Sequence, residues 1–363
     1  MMKKVLLIGL GKIGQTIRLF LSQISQLELI TSDLISPKDK TIPFIKIRST
    51  DDLEQQIKKL EPDLILNAGP FYLSQPIARA ALHTGASYMD LTEDVQATQH
   101  IYSLAQSASK GQLFAPQCGL APGFISILAG HLCQQFEQLD SVHLRVGALP
   151  QYPDNQMLYN LTWSTDGLVN EYCNPCEVIS QGQKIQVPAL DSKEEFSLEG
   201  IRYEAFNTSG GLGTLPHTLA GKVNQLNYKT IRYPGHRDLM KFLLKDLKFE
   251  HPDRQKQLVD LLDQNIPMTT QDMVLIMVSV SGQRRHSNDQ LRYEKLTDVR
   301  KIPHQQLYNQ ELSAIQISTA ASICAIVELW LGHHFQDKSF LHQEDVAYTS
   351  FTQTQFGRLL NVE

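Results

Sequence analysis

The chain has 363 residues, 42% hydrophobic and 20% charged, with a formal net charge of −5. That length buries more than one core and suggests two domains, and the acidic balance leaves no basic footprint, which argues against nucleic acid as a partner. Five cysteines, Cys118, Cys133, Cys173, Cys176 and Cys324, are an odd count scattered through a large chain. They suit a reducing cytoplasm better than a disulfide framework, and no apolar run approaches the length of a membrane span.

In chain order, Lys3 and Lys4 precede the apolar run Val5 to Ile8, which predicts a buried parallel strand. Gly9-Leu10-Gly11-Lys12-Ile13-Gly14 then leads into helix-like Gln15 to Leu21. A basic start before apolar residues also opens a signal peptide. Here three glycines and a lysine break the stretch and no small-residue cleavage site follows, so it reads as a strand. Strand, G-x-G-x-x-G turn and helix, in that order, are the context of a dinucleotide-binding fingerprint. Gly9 permits the tight turn, Gly11 lets the backbone approach a pyrophosphate, and Gly14 lets the helix pack on the strand with its N-terminus toward the anion. With Lys12 and Ile13 these are the candidate cofactor-binding residues of the loop.

A second strand, Leu27 to Asp33, ends on an acid about twenty residues past Gly14, where an NAD-type fold places a carboxylate on the ribose 2′-hydroxyl. Asp33 would repel the 2′-phosphate of NADP, and no arginine follows at once, so NAD is the expected cofactor, with NADP possible. The alternation continues with a strand at Phe44 to Ile47, a helix at Asp51 to Leu60 opened by Thr50, and a strand at Asp63 to Asn67. The loop Ala68-Gly69-Pro70-Phe71-Tyr72 sits at the carboxyl end of that last strand. In a doubly wound sheet this edge faces the ligand, which makes Asn67, Ala68, Pro70 and Phe71 candidate cofactor contacts. A helix at Ser74 to His83, a strand at Ser87 to Leu91, a helix at Glu93 to Ser109 and a strand at Gln112 to Ala115 complete a parallel sheet with right-handed crossovers.

Cys118-Gly119-Leu120-Ala121-Pro122-Gly123 punctuates that pattern, and an apolar helix from Phe124 to Phe136 follows, so the dinucleotide-binding domain is expected over 1–123. Downstream, Val142 to Val146, Arg202 to Phe206, Asn224 to Ile231 and Met273 to Ser281 read as strands with partial alternation. Leu291 to Leu296 could pair with the last through a polar turn at Gln283 to Asn288. Helices at Gly235 to Leu247 and Arg254 to Gln264 sit between them, so 124–312 is expected to be an α+β domain on a largely antiparallel sheet. Ser313 to Leu331 is a long helix without a polar face, which predicts a buried helix returning, with the tail to 363, to the first domain. Cys173-Asn174-Pro175-Cys176 is formally C-x-x-C. With no second pair and no histidine at finger spacing it reads as a surface-loop coincidence, and no metal site is expected. His333-His334 reads as a cap on the long helix.

The ordered set G-L-G-x-x-G, Asn67-Ala-Gly-Pro-Phe71, Tyr88-Met-Asp-Leu-Thr92, Cys118-Gly-Leu-Ala-Pro-Gly123, Thr208-Ser-Gly-Gly211 and Tyr228-Lys-Thr-Ile-Arg-Tyr-Pro-Gly-His236 resembles the saccharopine dehydrogenase family over about residues 3 to 335. That family includes saccharopine reductases and L-lysine 6-dehydrogenases. The resemblance implies a split Rossmann domain closed by the C-terminal helix, with an inserted α+β substrate domain. It also implies hydride transfer between a nicotinamide and the carbon bearing lysine's ε-nitrogen, in lysine metabolism. Gly119 joins the candidate cofactor contacts through this match. Saccharopine reductases usually carry an aspartate where this chain has Ala121, and a cysteine near the segment matching Arg145 to Pro150, where it has none. Both departures, with Gly167-Leu-Val-Asn-Glu-Tyr172, look more like L-lysine 6-dehydrogenases, whereas Trp163-Ser164 looks like the reductases. The resemblance also makes a homodimer plausible.

Oxidising an amine to an imine needs hydride chemistry from the cofactor, and binding, orientation and proton handling from the protein. A small amino-acid substrate brings a carboxylate. Arg232, before the turn Pro234-Gly235, is the candidate bidentate clamp, the alternative being an ion pair with a nearby acid. Thr208 and Ser209 could offer hydroxyls to the same substrate or belong to a glycine turn, and Tyr159 and Trp163 could wall its aliphatic chain or pack in the core. Asp90, which ends a strand on the ligand-facing edge, and His217 and His236, which follow glycine-rich segments and could titrate near neutrality, are the candidate acid–base residues, each with a structural alternative. The competing readings are a carboxynorspermidine-type dehydrogenase of polyamine metabolism and a non-catalytic dinucleotide-binding sensor.

Overall fold

A computed structural model describes residues 2–37, 41–47, 49–287 and 289–361, without the side chains of residues 50 and 51. The chain forms two compact units, Met1–Ile127 with Gln316–Asn361, and Leu128–Ile315. The divisions fall inside the first turns of two helices, a few residues beyond the punctuation at Gly123 and at Leu312.

The first unit contains β1 (Lys3–Ile8), α1 (Lys12–Leu21), β2 (Leu27–Ser32), β3 (Phe44–Ile45), α2 (Thr50–Leu60), β4 (Leu64–Asn67), α3 (Ser74–Thr84), β5 (Ser87–Asp90), α4 (Val95–Ala105) and β6 (Phe114–Ala115). All pairings are parallel, and the strand order β3-β2-β1-β4-β5-β6 is that of a Rossmann sheet, with its reversal between β1 and β4. Val5, Leu6 and Leu7 are fully buried because both sheet faces are covered, which is why the run is continuously apolar instead of alternating. Ser49, not Thr50, caps α2, its Oγ accepting from the Asp52 N–H at 3.2 Å. Register aligns Ile8 with Ser32 and Asn67, and Asn67 with Asp90. The carboxyl ends of four strands therefore reach one edge together.

The second unit continues from α5 (Phe124–Cys133), which spans the division, with β7 (Gln138–Pro150), α6 (Thr165–Cys173), β8 (Cys176–Ser180), β9 (Gln183–Val187), β10 (Glu194–Leu198), β11 (Ile201–Asn207), α7 (Leu215–Thr218), β12 (Gln225–Arg232), α8 (His236–Lys241), α9 (Pro252–Asn265), β13 (Asp272–Arg285) and β14 (Leu291–Pro303). A small hairpin, β15 (Gln305–Leu307) with β16 (Gln310–Leu312), follows. The sheet runs β10-β11-β12-β7-β13-β14, with β8 on β12 and β9 on β8; only β12 and β7 are parallel. β13 and β14 form the expected hairpin, far longer than the apolar stretches suggest because their ends are polar. The far end of the expected turn, Asn288, lies outside the described residues. The expected helix from Gly235 to Leu247 is α-helical over His236–Lys241 and continues as a π-helix over Phe242–Asp246. The expectation of a C-x-x-C surface loop is corrected: Cys173 ends α6, Cys176 is buried at the start of β8, and both are free.

The long helix α10 (Ala314–Leu331) leads back into the first unit, where Gln316 Nε2 donates to Thr16 Oγ1 at 3.0 Å. Its 18 residues have a mean hydropathy of 1.6, long and apolar enough to cross a membrane, which corrects the expectation that no run approaches such a span; 67% of it is buried inside the protein. Buried over most of its surface, it needs no continuous polar face.

Candidate active site

Two of the loop glycines answer to the fold itself. Gly9 has φ +96°, and a Cβ there would meet Ala68 and Gly69 backbone at 2.7 Å; a Cβ on Gly14 would lie 1.9 Å from the Gly9 carbonyl oxygen. Gly11 differs: a Cβ would meet nothing within 4 Å, and its φ of −64° is open to any residue. The remaining reason for glycine is a ligand lying against the backbone, as a pyrophosphate does in this fold. Gly11 is also the N-cap of α1 and brings no side chain to the first turn, where Lys12, Ile13 and Gly14 follow without an acid. The positive end of the helix is left for an anion. Asp33 stands just past β2, with Oδ2 accepting from the Leu10 N–H at 2.5 Å and Oδ1 from the Ile35 N–H at 3.3 Å. The carboxylate thus ties down the loop while Oδ1 keeps lone pairs for a ribose hydroxyl. These residues fit a nicotinamide dinucleotide.

At the next strand ends the side chains turn inward. Asn67 is 1% exposed; its Oδ1 accepts from the Gly69 N–H at 3.0 Å and its Nδ2 donates to Ser74 Oγ at 3.2 Å. It shapes the Ala68–Pro70 loop, whose Ala68 N–H bonds the Ile8 carbonyl, while Pro70 is exposed and Phe71 half-buried. Asp90 is fully buried, accepting from Tyr88 Oη at 2.8 Å, Thr92 N–H at 3.1 Å and Gln117 N–H at 3.0 Å. Burial pushes its carboxyl up against those three bonds. Those three bonds make Asp90 a brace between loops. Gly119 is buried and receives the Phe124 N–H, and Gly123 approaches it so closely that a Cβ would lie 1.9 Å from the Gly119 oxygen.

Sequence reading missed Glu93. Between Asp90, whose oxygens are occupied, and Asp94, whose Oδ1 caps α4 through the Ala97 N–H, it is the carboxylate that finds no hydrogen-bond partner in another of the described residues. Burial, Asp94 and Asp90 push it up to about 7. It follows β5, on the β4-β5-β6 half of the sheet, opposite the half that carries Asp33. Its signal, an acid after the strand, was present but was absorbed into the following helix.

In the second unit the decisive group is Arg232, at the end of β12 and 3% exposed. Its Nε donates to Tyr172 Oη at 3.1 Å, its Nη1 to the Ile231 carbonyl at 2.9 Å, and its guanidinium carbon lies 5.0 Å from the Tyr159 ring centroid. No ion pair with an acid forms among the described residues. Burial opposes the charge, but Tyr172, Tyr159 and Glu171 outweigh it and hold the guanidinium cationic. Such a cation is costly unless an anion completes it. An acid pairing of this kind belongs instead to Arg145, whose Nε meets Glu194 Oε1 at 2.5 Å, with Lys229 Nζ on Oε2 at 2.7 Å. Strand alternation puts Lys229 and Arg232 on opposite faces of β12.

His236 is fully buried beside Arg232. Its Nε2 is 3.1 Å from Tyr172 Oη and its Nδ1 3.1 Å from the Met157 carbonyl. Burial, then the Arg232 charge, lowers it to about 3. The expectation that it titrates near neutrality is corrected: it is a neutral imidazole. His217 is exposed on α7, and among the described residues no hydrogen bond or ring contact joins it to this cluster. Thr208 Oγ1 bonds Thr230 Oγ1 at 2.7 Å, and Ser209 donates its N–H to the Glu171 carbonyl at 3.0 Å. Gly211 lies so close to the Tyr228 ring that a Cβ would sit 2.4 Å from it, a packing reason for that glycine. Tyr159 is buried under Arg232, whereas Trp163 is half-buried against the core formed by Leu168, Met240 and Leu258. Tyr172 is the second residue missed: it stands 60 positions from Arg232, and no local pattern joins them.

A family model described as the saccharopine dehydrogenase C-terminal domain matches residues 119–354, and one described as the saccharopine dehydrogenase NADP binding domain matches 5–115. The chain belongs to the saccharopine dehydrogenase family. Its fold is similar to that of the L-Glu-forming saccharopine dehydrogenase of Saccharomyces cerevisiae, at a TM-score of 0.68 and 13% identity over 91% of this chain and 92% of that one. Homospermidine synthase of Legionella pneumophila, solved in complex with NAD, gives 0.65 and 13% over 98% and 89%. An engineered D-amino acid dehydrogenase bound to NADP+ gives 0.51 and 12% over the whole of both chains. This family is one of dehydrogenases with a nicotinamide-dinucleotide-binding domain, and the chain has their oxidoreductase fold.

Proposed function

We propose that the protein transfers hydride between NAD and the carbon bearing the ε-nitrogen of lysine or of saccharopine. The carrying observation is Arg232, a buried guanidinium that makes no ion pair among the described residues, with the carboxylate of Glu171 favouring its charge electrostatically. Its Nε is occupied by Tyr172 and one N–H of Nη1 by the Ile231 carbonyl, so the second N–H of Nη1 and those of Nη2 are the edge left for a substrate carboxylate in a bidentate pair. Asp33 supports NAD over NADP through repulsion of a 2′-phosphate. Gly9 to Gly14 would hold the pyrophosphate, and the bound dinucleotide supplies the hydride chemistry. Tyr159 stacks under the guanidinium and limits the aliphatic path. Within the first unit, Glu93, a carboxyl poised near neutrality after β5, is the candidate acid–base group.

One observation favours a polyamine conjugate as the second reading: Glu171, buried and electrostatically close to Arg232, Tyr159 and Tyr172, would suit a further amine. NADH formation from NAD with L-lysine, saccharopine or carboxynorspermidine separates the readings. Turnover on one of the first two is expected, with KM for that amino acid raised about a hundredfold in Arg232→Ala, the worth of a charged hydrogen-bonded pair. A base must be ionised, so the rate should rise with pH through about 7 in wild type and lose that limb in Glu93→Gln. Turnover confined to carboxynorspermidine would establish the second reading, and silence on all three with dinucleotide binding intact would overturn both.

A further inference from the structure

Arg232, Tyr172 and His236 form one hydrogen-bonded chain whose polarity follows from its far end. The Met157 carbonyl can only accept, so His236 Nδ1, 3.1 Å away, carries the proton. Nε2 is then a bare lone pair, and Tyr172 Oη, at 3.1 Å, donates to it. That donation leaves the phenol oxygen's lone pairs for the Arg232 Nε–H at 3.1 Å. An imidazolium, or the other neutral tautomer, would present an N–H to Tyr172 and turn the phenol hydrogen toward the guanidinium. The groups that face His236 are Arg232 from β12, Tyr172 from α6, Tyr159 and the Met157 carbonyl from the segment before α6, and the Phe206 ring from β11. None is a carboxylate that would favour the charged form.

We infer that His236 is a positioning residue: through Tyr172 it fixes the plane and the free edge of the Arg232 guanidinium for a substrate carboxylate. The inference rests on the reading of Arg232 as the carboxylate clamp. Tyr159 holds the guanidinium from one face, but a ring face does not set rotation about its normal; the Nε bond to Tyr172 does so together with the Nη1 bond to the Ile231 carbonyl. The proton arrangement of His236 therefore sets the direction in which the fork points.

The test is a cycle of substitutions with KM and kcat read separately on L-lysine and saccharopine, together with nitrogen NMR of histidine-labelled protein. Tyr172→Phe should raise the amino-acid KM about tenfold, with kcat within about threefold and the NAD KM unchanged. His236→Leu should match it, and His236→Gln, whose amide oxygen can stand in for Nε2, should restore most of the loss. Adding Tyr172→Phe to Arg232→Ala should change nothing further. If Arg232→Ala leaves KM unaltered, the clamp reading fails; if it raises KM but Tyr172→Phe multiplies that effect, the clamp stands and the relay is overturned. The NMR arm needs no turnover. The signal absent from His236→Gln should report a neutral imidazole protonated on Nδ1 from pH 6 to 8, and its Nε2 should shift in Tyr172→Phe. An imidazolium or an Nε2-protonated ring would overturn the proposal.

Discussion

The two units build their sites from opposite materials. In the first, the site is backbone: Gly9, Gly11 and Gly14 remove side chains so that a loop and a helix end can meet a phosphate, and most of the geometry lies within six consecutive residues. In the second, it is buried side chains, Arg232, Tyr172, Tyr159 and His236, drawn from β12, α6, the segment before α6 and α8. A backbone site is fixed by sterics and tolerates little substitution. A side-chain site is fixed by hydrogen-bond polarity and should yield to conservative replacement.

The contrast is broken or sharpened most strongly at the glycines. Gly14→Ala places a methyl 1.9 Å from the Gly9 oxygen, a backbone atom, so it should cost about 1–3 kcal/mol or more of stability and abolish dinucleotide binding. Gly11→Ala meets nothing in the protein and should leave thermal unfolding within about 0.5 kcal/mol of wild type, yet weaken dinucleotide affinity at least about tenfold. Thermal melts beside calorimetric titration check both. If Gly11→Ala binds like wild type, the open space at Gly11 is not where the pyrophosphate lies.

Legibility from sequence follows the same division. The Rossmann order, the ribose acid after β2 and the ligand-facing edge could be read because each depends on neighbours within about thirty residues. Asn67 and Asp90 were placed on the correct edge, but whether a strand-end side chain faces ligand or loop depends on partners such as Ser74 and Gln117 that spacing does not reveal. Arg232 was found through a family segment, and its lack of an acid partner could not be seen, since Arg145 had equal claim to one. His236 was read as a titrating residue because glycines precede it, whereas burial beside a cation decides its charge. β8, β9 and β10 were missed because each is only five residues long; β9 is also exposed along nearly its whole length.

A middle-sized effect sits at Asp33. Replacing it with serine keeps a hydroxyl for ribose but removes the charge that would meet a 2′-phosphate. The ratio of NAD to NADP affinity should fall about a hundredfold, shared between weaker NAD and stronger NADP binding. The Leu10 N–H loses its strong acceptor as well, which should cost about 1 kcal/mol in a melt. An unchanged ratio would move cofactor choice to other residues.

The smallest expected effect tests whether the second unit's site is held by a neutral imidazole. His236 is lowered to about 3 in the folded protein by burial and by Arg232, whereas in the unfolded chain it protonates near 6.5. The unfolded state therefore binds the proton more tightly, and acidification favours unfolding. The stability associated with neutral His236 is fully present above 6.5 and is lost as pH falls, at about 1.4 kcal/mol per pH unit, until the folded group titrates near 3. His236→Gln has no such proton to take up. Its stability should match wild type to within the cost of the replacement at pH 7.5 and fall less steeply on acidification, so that by pH 5.5 the difference has moved about 1 kcal/mol in the variant's favour. Denaturant titrations across that range read the slope directly. Parallel slopes would mean that folded His236 takes up its proton over the same pH range as the unfolded chain, and the polarity running from Met157 through Tyr172 to Arg232 would then reverse below that range.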